Sequence, residues 1–489
     1  MGIMKSVLLT HSYFYKLDPK QWRFKQPYPP LGTLIAASVL RDMGCDIDFQ
    51  DACLKEGPDQ IIEQIKFKKP AYVIVYDDGF NYLTKMCLSV MREAAFRMIR
   101  AAKETGCKII VCNSDSTDHA ETYLNEGADY IVRGEGETTL KELIEVIEGN
   151  SDLSVVLGVT YRSGELMQTN PPRPVLIDLD SLPLPDWRLV DMAAYRNIWM
   201  NHHGYFSLNI ATTRGCPFKC NWCAKPIYGN RYNSRSPERV IEEIEMLLEG
   251  YQPDHFWMCD DIFGLKPGWV QKFDKLVDQK NLSFKYKIQS RVDLLLEAKT
   301  IEALASSGAE TVWVGAESGS QKILDAMDKG TTVEQIGQST RLLRQHGIKV
   351  GFFLQFGYTG EQQADIDKTI KMVLDLMPDE IGISVSYPLP GTKFYESVKA
   401  SLEAKQNWKD SDDLDMMFAG VYPSSYYKVL HRYVHSRYRI KRGLDRIRTL
   451  LKKPKLVYTD FRKVASMLYH IPQSIFQFYQ LKRISAHDV

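Results

Sequence analysis

Thr213-Arg214-Gly215-Cys216-Pro217-Phe218-Lys219-Cys220-Asn221-Trp222-Cys223 crowds three cysteines into eight residues. The stretch follows Ser207–Ala211, an apolar run that reads as a strand, and precedes Pro237–Leu248, which has a helical pattern. The spacing C-x3-C-x2-C lets three thiolates share one centre. Thiolates suit iron–sulfur clusters or zinc. A structural zinc site takes four ligands, usually as two C-x2-C pairs. No fourth cysteine lies nearby in the sequence, and His202 and His203 sit on the far side of a strand. Three ligands on a four-iron cluster leave one iron open to an exogenous ligand. The chain has nine cysteines in all. An odd number with this clustering argues against a secreted disulfide framework and for a cytoplasmic metal site.

The cysteine loop opens a regular α/β series. Candidate strands are Ser207–Ala211, His255–Met258, Lys285–Gln289, Thr311–Gly315, Val350–Gln355 and Ile381–Val385, with helical patterns between them. Six βα units predict a partial (β/α)6 barrel over residues 201–400, with its site at the C-terminal ends of the strands. Upstream, residues 1–150 alternate strand and helix and predict a doubly wound parallel sheet of Rossmann-like type. The loops after Leu9, Tyr76 and Cys112 and the turn Arg133-Gly134-Glu135-Gly136-Glu137 are expected to line its ligand edge. Residues 151–200 read as a hairpin around Ser163-Gly164 and then a proline-rich linker (Pro171, Pro172, Pro174, Pro183, Pro185). From 401 to 489 the strand signals fade into a mainly helical, basic region.

A three-cysteine loop after the first strand of six βα units resembles the radical S-adenosylmethionine superfamily. The resemblance implies that Cys216, Cys220 and Cys223 hold a [4Fe–4S] cluster whose open iron chelates S-adenosylmethionine. Reductive cleavage then gives a 5′-deoxyadenosyl radical, with electrons from an external donor of the flavodoxin or ferredoxin type. Trp222 occupies the family's aromatic position near the adenine. Cys259-Asp260-Asp261, Gln289-Ser290-Arg291 and Gly315-Ala316-Glu317-Ser318-Gly319 fall at the ends of the next three strands and match the cobalamin-binding branch. Asp260, Asp261 and Glu317 can accept from the ammonium and ribose of the ligand; Ser290 and Arg291 can donate to its carboxylate. The competing reading makes Asp260 or Asp261 a helix cap, and Glu317 with Arg291 an ion pair across the barrel mouth.

The first domain is similar to the cobalamin-binding domain of the same branch. The carrying segments are Pro29-Pro30-Leu31-Gly32, Asp51-Ala52 and Gly127–Thr138. Two departures stand out. No Asp-x-His-x-x-Gly motif offers a histidine to the lower cobalt face; His119 is a lone loop histidine. Asn113-Ser114-Asp115-Ser116 stands where the family has Gly-Gly-Pro-His, and a bulkier, acidic loop there is expected to crowd a corrin. Asn407–Phe418 is similar to the region after the barrel in the anaerobic magnesium-protoporphyrin monomethyl ester cyclases, which hints at an apolar or tetrapyrrole substrate. Tyr387, after the last strand, is a candidate substrate contact.

Composition sets the outer limits. The 489 residues are 44% hydrophobic and 25% charged, with a net charge of +1, which excludes disordered, collagen-like and small disulfide-stapled proteins. The neutral total hides a split. Residues 428–483 hold fifteen Lys and Arg against Asp445 and Asp460, a net +13, so the remainder carries −12. Aromatic residues interleave, among them Tyr433, Tyr438, Tyr458, Phe461, Tyr469 and Phe476. Such a segment suits a peripheral contact at the inner membrane surface, ahead of nucleic acid. No uncharged apolar run approaches the ~18 residues of a membrane span. The expectation is thus a cytoplasmic enzyme that attacks an unactivated C–H bond of a small molecule, by methylation or by oxidation or ring closure, with cobalamin. Its rival is a non-catalytic iron–sulfur or zinc scaffold that docks a membrane or nucleic-acid partner through the basic tail.

Overall fold

The computed structural model describes residues 5–223, 228–405, 407–452 and 458–487. The first sheet contains β1 (Ser6–Thr10), β2 (Asp46–Gln50), β3 (Tyr72–Tyr76), β4 (Lys108–Cys112), β5 (Tyr130–Val132), β6 (Val159–Ser163) and β7 (Leu166–Thr169), in the order β2-β1-β3-β4-β5-β6-β7. The first five strands are parallel. Helices cover them, so β3 reads Tyr-Val-Ile-Val-Tyr and is buried throughout. The hairpin β6–β7 joins antiparallel to β5, which carries this sheet past residue 150. Strand order reverses between β1 and β3, and ligands of such sheets sit in the crevice at that switch.

The second sheet runs β15-β14-β13-β12-β11-β8. Its members are β8 (Ser207–Ile210), β11 (His255–Met258), β12 (Lys285–Ser290), β13 (Ala309–Glu317), β14 (Lys349–Phe356) and β15 (Glu380–Val385), all parallel. Sequential order with parallel neighbours is the expected partial barrel. A separate two-stranded pair, β9 (Thr213–Arg214) with β10 (Asn233–Ser234), braces the entry to the cysteine loop. The domains interlock at the bottom of β8. Asn209 Nδ2 donates to the Pro29 carbonyl at 3.0 Å, Trp199 Nε1 donates to the Pro27 carbonyl at 2.8 Å, and Tyr28 Oη lies 3.2 Å from Ser207 Oγ.

Two long helices, Ser424–Lys452 and Tyr458–His487, pack along each other as a C-terminal hairpin. Tyr438 Oη anchors the first to the barrel, donating to the carbonyls of Pro378 and Asp379 at 2.6 and 2.8 Å. Pro472 lies inside the second helix without ending it. That helix is amphipathic in an inverted sense. Ser466, His470, Gln473 and Gln477 line an interior cavity, whereas Leu468, Ile475, Phe476 and Tyr479 are exposed on the opposite side. The basic segment therefore does not form one outward surface. The side chains of Tyr458 and Phe461 lie outside the described residues. Among the described residues, no helix is long and apolar enough to cross a membrane.

Candidate active site

The cysteine loop is clamped at both legs. At its start, Asp260 accepts hydrogen bonds from Thr212 N, Thr212 Oγ1 and Thr213 N at 2.7, 2.6 and 2.7 Å. Burial pushes this carboxyl up to about 6 despite those donors. Gly215 follows in the left-handed region (φ +77°), and a Cβ there would lie 2.2 Å from the Arg231 carbonyl oxygen. At the far end, Asn221 pins the segment between the second and third cysteines. Its Nδ2 donates to the Ala326 carbonyl at 2.7 Å, its N–H to the Met327 carbonyl at 3.0 Å, and Tyr358 Oη donates to its Oδ1 at 2.8 Å. Cys216 is buried; Cys220 and Cys223 are half-buried. None of the nine cysteines is disulfide-bonded.

All three loop cysteines line one cavity of about 1910 Å³, roughly twice the volume of ordinary single-ligand pockets. Its walls come from the first sheet, the two ends of the barrel and the C-terminal hairpin. Tyr13, Asp78 and Phe80 belong to the β1 and β3 ends of the first sheet. Trp222, Asp261, Ser290, Arg291, Glu317 and Lys329 ring the barrel top. Lys287, Thr311, Lys349 and Glu380 continue the lining down to the barrel bottom.

The expected site residues fall into two groups. Trp222, Asp261, Ser290, Arg291 and Glu317 all reach the cavity; Asp260 does not. Its oxygens are spent on the loop entry, because a buried carboxylate must be satisfied locally. The cap reading fails as well, since Gly268 precedes the next helix. Arg291 and Glu317 do not pair with each other. The Arg291 guanidinium forks onto Asp293, both contacts at 3.0 Å, lies 3.7 Å over the Phe218 ring, and brings Nη1 to 3.9 Å from Cys220 Sγ. Glu317, itself at φ +55°, accepts from Lys329 Nζ at 2.8 Å. Burial opposes the Lys329 charge, but Glu317 and Cys220 outweigh it and hold the ammonium above its usual range. Asp261 meets Lys85 of the first domain at 2.7 Å.

Four other residues carry roles the motif reading left unassigned: Lys85, Asn221, Lys329 and Arg214. Arg214 and Asn221 stand inside the quoted cysteine stretch, but only the fold shows their partners. Tyr387 lines the cavity and is also packed edge-on to Trp408 at 4.6 Å, its Oη donating to the Met86 carbonyl at 3.3 Å. Asn113–Ser116, the loop expected to crowd a corrin, is buried. That segment closes into a short helix with an Asn113–Ser116 capping box, and Asp115 is consumed by Arg92 and Tyr123. Neither it nor His119 lines the cavity.

Residues 210–373 match the radical SAM superfamily and residues 23–144 match the B12 binding domain, together more than half of the chain. The chain belongs to the cobalamin-dependent radical S-adenosylmethionine family. It is 28% identical over 394 residues to an uncharacterised methyltransferase of Pyrococcus horikoshii, covering 79% of this chain and 82% of the relative. It is also 28% identical over 388 residues to the anaerobic magnesium-protoporphyrin IX monomethyl ester cyclase of Rubrivivax gelatinosus, covering 77% and 67%. The cobalamin-dependent S-adenosylmethionine radical enzyme OxsB, solved with aqua-cobalamin and S-adenosylmethionine, superposes with a TM-score of 0.72 at 18% identity, covering 98% of this chain and 72% of that one.

The chain is thus an enzyme, and the scaffold reading has no support. Its domains imply a [4Fe–4S] cluster, S-adenosylmethionine and cobalamin. The side chains fit them. Three soft thiol donors line one cavity beside the Arg291 cation. Among the described residues, Trp222 Nε1 and Tyr13 Oη are buried polar atoms without a hydrogen-bond partner, and both residues line the cavity. When bound, the cluster supplies an electron for cleaving S-adenosylmethionine, and cobalamin supplies a redox or methyl-carrying centre. Arg291, Glu317 and Lys329, each in an ion pair, share the cavity with the cysteines.

Proposed function

We propose that this family member functionalises an unactivated C–H bond of an apolar or tetrapyrrole-like small molecule, by methyl transfer or by oxidation with ring closure. In this reading Cys216, Cys220 and Cys223 hold the cluster. Trp222, Ser290, Arg291 and the Glu317–Lys329 pair hold S-adenosylmethionine, and Asp261 lies at the cobalamin side with Lys85. Asp260 acts as a positioning residue for the loop. The observation that carries the proposal is the single cavity joining the β1/β3 switch of the first sheet to the cysteine loop and then running on through the barrel. Two cofactor edges and a substrate need one shared, water-poor space.

Anaerobic incubation of the reconstituted chain with S-adenosylmethionine and a reductant tests it. Formation of 5′-deoxyadenosine, lost in Cys220→Ala, supports the enzyme. S-adenosylhomocysteine appearing alongside it indicates methyl transfer; 5′-deoxyadenosine alone indicates oxidation or ring closure. No 5′-deoxyadenosine from a cluster-replete wild type overturns the proposal.

The exposed stripe Leu468, Ile475, Phe476 and Tyr479, with Lys482 and Arg483 exposed at its C-terminal end, supports a peripheral contact with an anionic lipid surface. The apolar side chains suit the acyl boundary and the cations suit the headgroups.

A further inference from the structure

We propose that the inner face of the C-terminal hairpin binds an acidic headgroup, carboxylate or phosphate, of an elongated amphiphilic substrate whose apolar body lies along the barrel interior. This rests on reading the cavity as the substrate space.

Arg432, Arg439 and Arg442 of the Ser424–Lys452 helix, and Arg462 and Lys463 of its partner helix, all line the cavity. On the first helix the three arginines fall at i, i+7 and i+10, one side of a 3.6-residue repeat. Among the described residues none of these five cations forms an ion pair. Elsewhere on the same helix the cations are matched: Lys441 and Arg448 meet Asp445 at 3.3 and 3.2 Å, and Lys428 meets Asp415.

The acids of the cavity wall are mostly committed elsewhere. Glu310 pairs with Lys349 at 3.1 Å, Asp413 is taken by Lys405, Asp412 lies 3.8 Å from Arg23, and Asp379 accepts from Val350 N at 3.0 Å. Glu380 remains, facing Lys287. Burial lowers that lysine to about 8, with Glu380 opposing the shift. His431, His435 and His470 add no charge of their own, since burial favours the neutral ring and holds all three below their usual range. The wall is a net cationic surface looking for an anion, and arginine forks suit carboxylate and phosphate alike.

Length and apolarity come from the barrel. Thr311 and Glu317 both line the cavity from the two ends of β13. Six residues apart in a strand span roughly 20 Å. Between the ends stand Trp257, Trp313 and Phe353, the last two stacked at 4.7 Å. A molecule held at the hairpin and reacting near the cysteines must therefore be long and largely apolar between its ends.

Titration calorimetry on the reconstituted full chain tests this without turnover. The probes are dodecyl phosphate, dodecanoate, neutral 1-dodecylglycerol and inorganic phosphate, all below micelle formation. The acidic amphiphiles are expected to bind at least tenfold more tightly than the neutral one or inorganic phosphate. Their relative affinity distinguishes a phosphate from a carboxylate headgroup. Arg432→Gln/Arg439→Gln/Arg442→Gln should weaken both acids at least tenfold and leave the neutral probe unchanged; Lys441→Gln/Arg448→Gln should change neither. If the triple variant loses its helical circular dichroism, the wild type decides alone: rising KCl should weaken the acids and spare the neutral probe. Equal affinity for acidic and neutral probes, or no effect of the substitutions in a folded variant, overturns the inference. Acid binding by a chain that yields no 5′-deoxyadenosine would remove the proposed function and leave the site. Turnover without selective acid binding would do the reverse.

Discussion

Arg214 joins the two domains through Glu137. Its Nη2 meets Glu137 Oε1 at 2.6 Å and its Nη1 meets Glu135 Oε1 at 3.3 Å, with all three side chains buried. Arg214 is two residues before the first loop cysteine, and both glutamates belong to the glycine-rich turn of the cobalamin-binding domain. The start of the cluster loop is thereby held by the other domain. Removing one partner of a buried pair leaves an uncompensated charge and costs roughly 3–5 kcal/mol. Arg214→Met should lower the unfolding temperature by several degrees and reduce iron retained per chain. An unchanged melting curve with full iron content would contradict this coupling.

Glu361 sets a pH dependence. It is 1% exposed, its Oε2 accepts from Gly357 N at 2.6 Å, and its Oε1 has no partner among the described residues. Burial raises its carboxyl from 4.5 to about 8. The folded chain keeps a proton that the unfolded chain releases. This contribution is therefore full below about pH 4.5 and is lost as pH rises to about 8, by on the order of a few kcal/mol. Glu361→Gln should flatten that slope in urea denaturation between pH 5 and 8 and raise stability at pH 8. A variant with the wild-type slope would assign the dependence to other groups.

Gly351 makes room for an aromatic wall. A Cβ there would lie 2.4–2.7 Å from the Trp313 ring. Gly351→Ala must push Trp313 off its stack with Phe353 and into the cavity. Overpacking of this kind costs about 1–3 kcal/mol. Near-ultraviolet circular dichroism should change with the loss of stability; a variant as stable as wild type with an unaltered spectrum would show that the ring has slack.

Leu468→Ser/Ile475→Ser/Phe476→Ser tests the outward stripe. Loss of three partly inserted apolar side chains should reduce flotation with phosphatidylglycerol vesicles more than tenfold, given ~1.5–3 kcal/mol for each fully buried side chain. Wild type that floats no better with phosphatidylglycerol than with phosphatidylcholine vesicles would count against an anionic surface. A dimer in light scattering that the substitutions dissolve would point instead to a second copy of this chain.

Much of the fold was legible because its signals are local. β11 coincides with the run read as a strand, β8, β12 and β15 differ from theirs by one residue, and β9 and β10 are the pair that pattern alone missed, since two-residue strands carry no periodicity. The site was legible where the chemistry sits at short spacing, as in the three cysteines.

The sequence alone determined the alternation of strands and helices, the thiolate donor set and the family, because period, spacing and donor type are carried by neighbouring residues. Only the tertiary structure decided which charge meets which. Asp260 turned to the loop entry, Lys85 to Asp261, Lys329 to Glu317, and Arg214 to a turn 77 residues upstream. It also decided the meaning of the basic C-terminal segment, part of whose charge faces inward. Charge pairing acts at a few ångströms, and the chain brings distant residues within that range only after its apolar surfaces have packed.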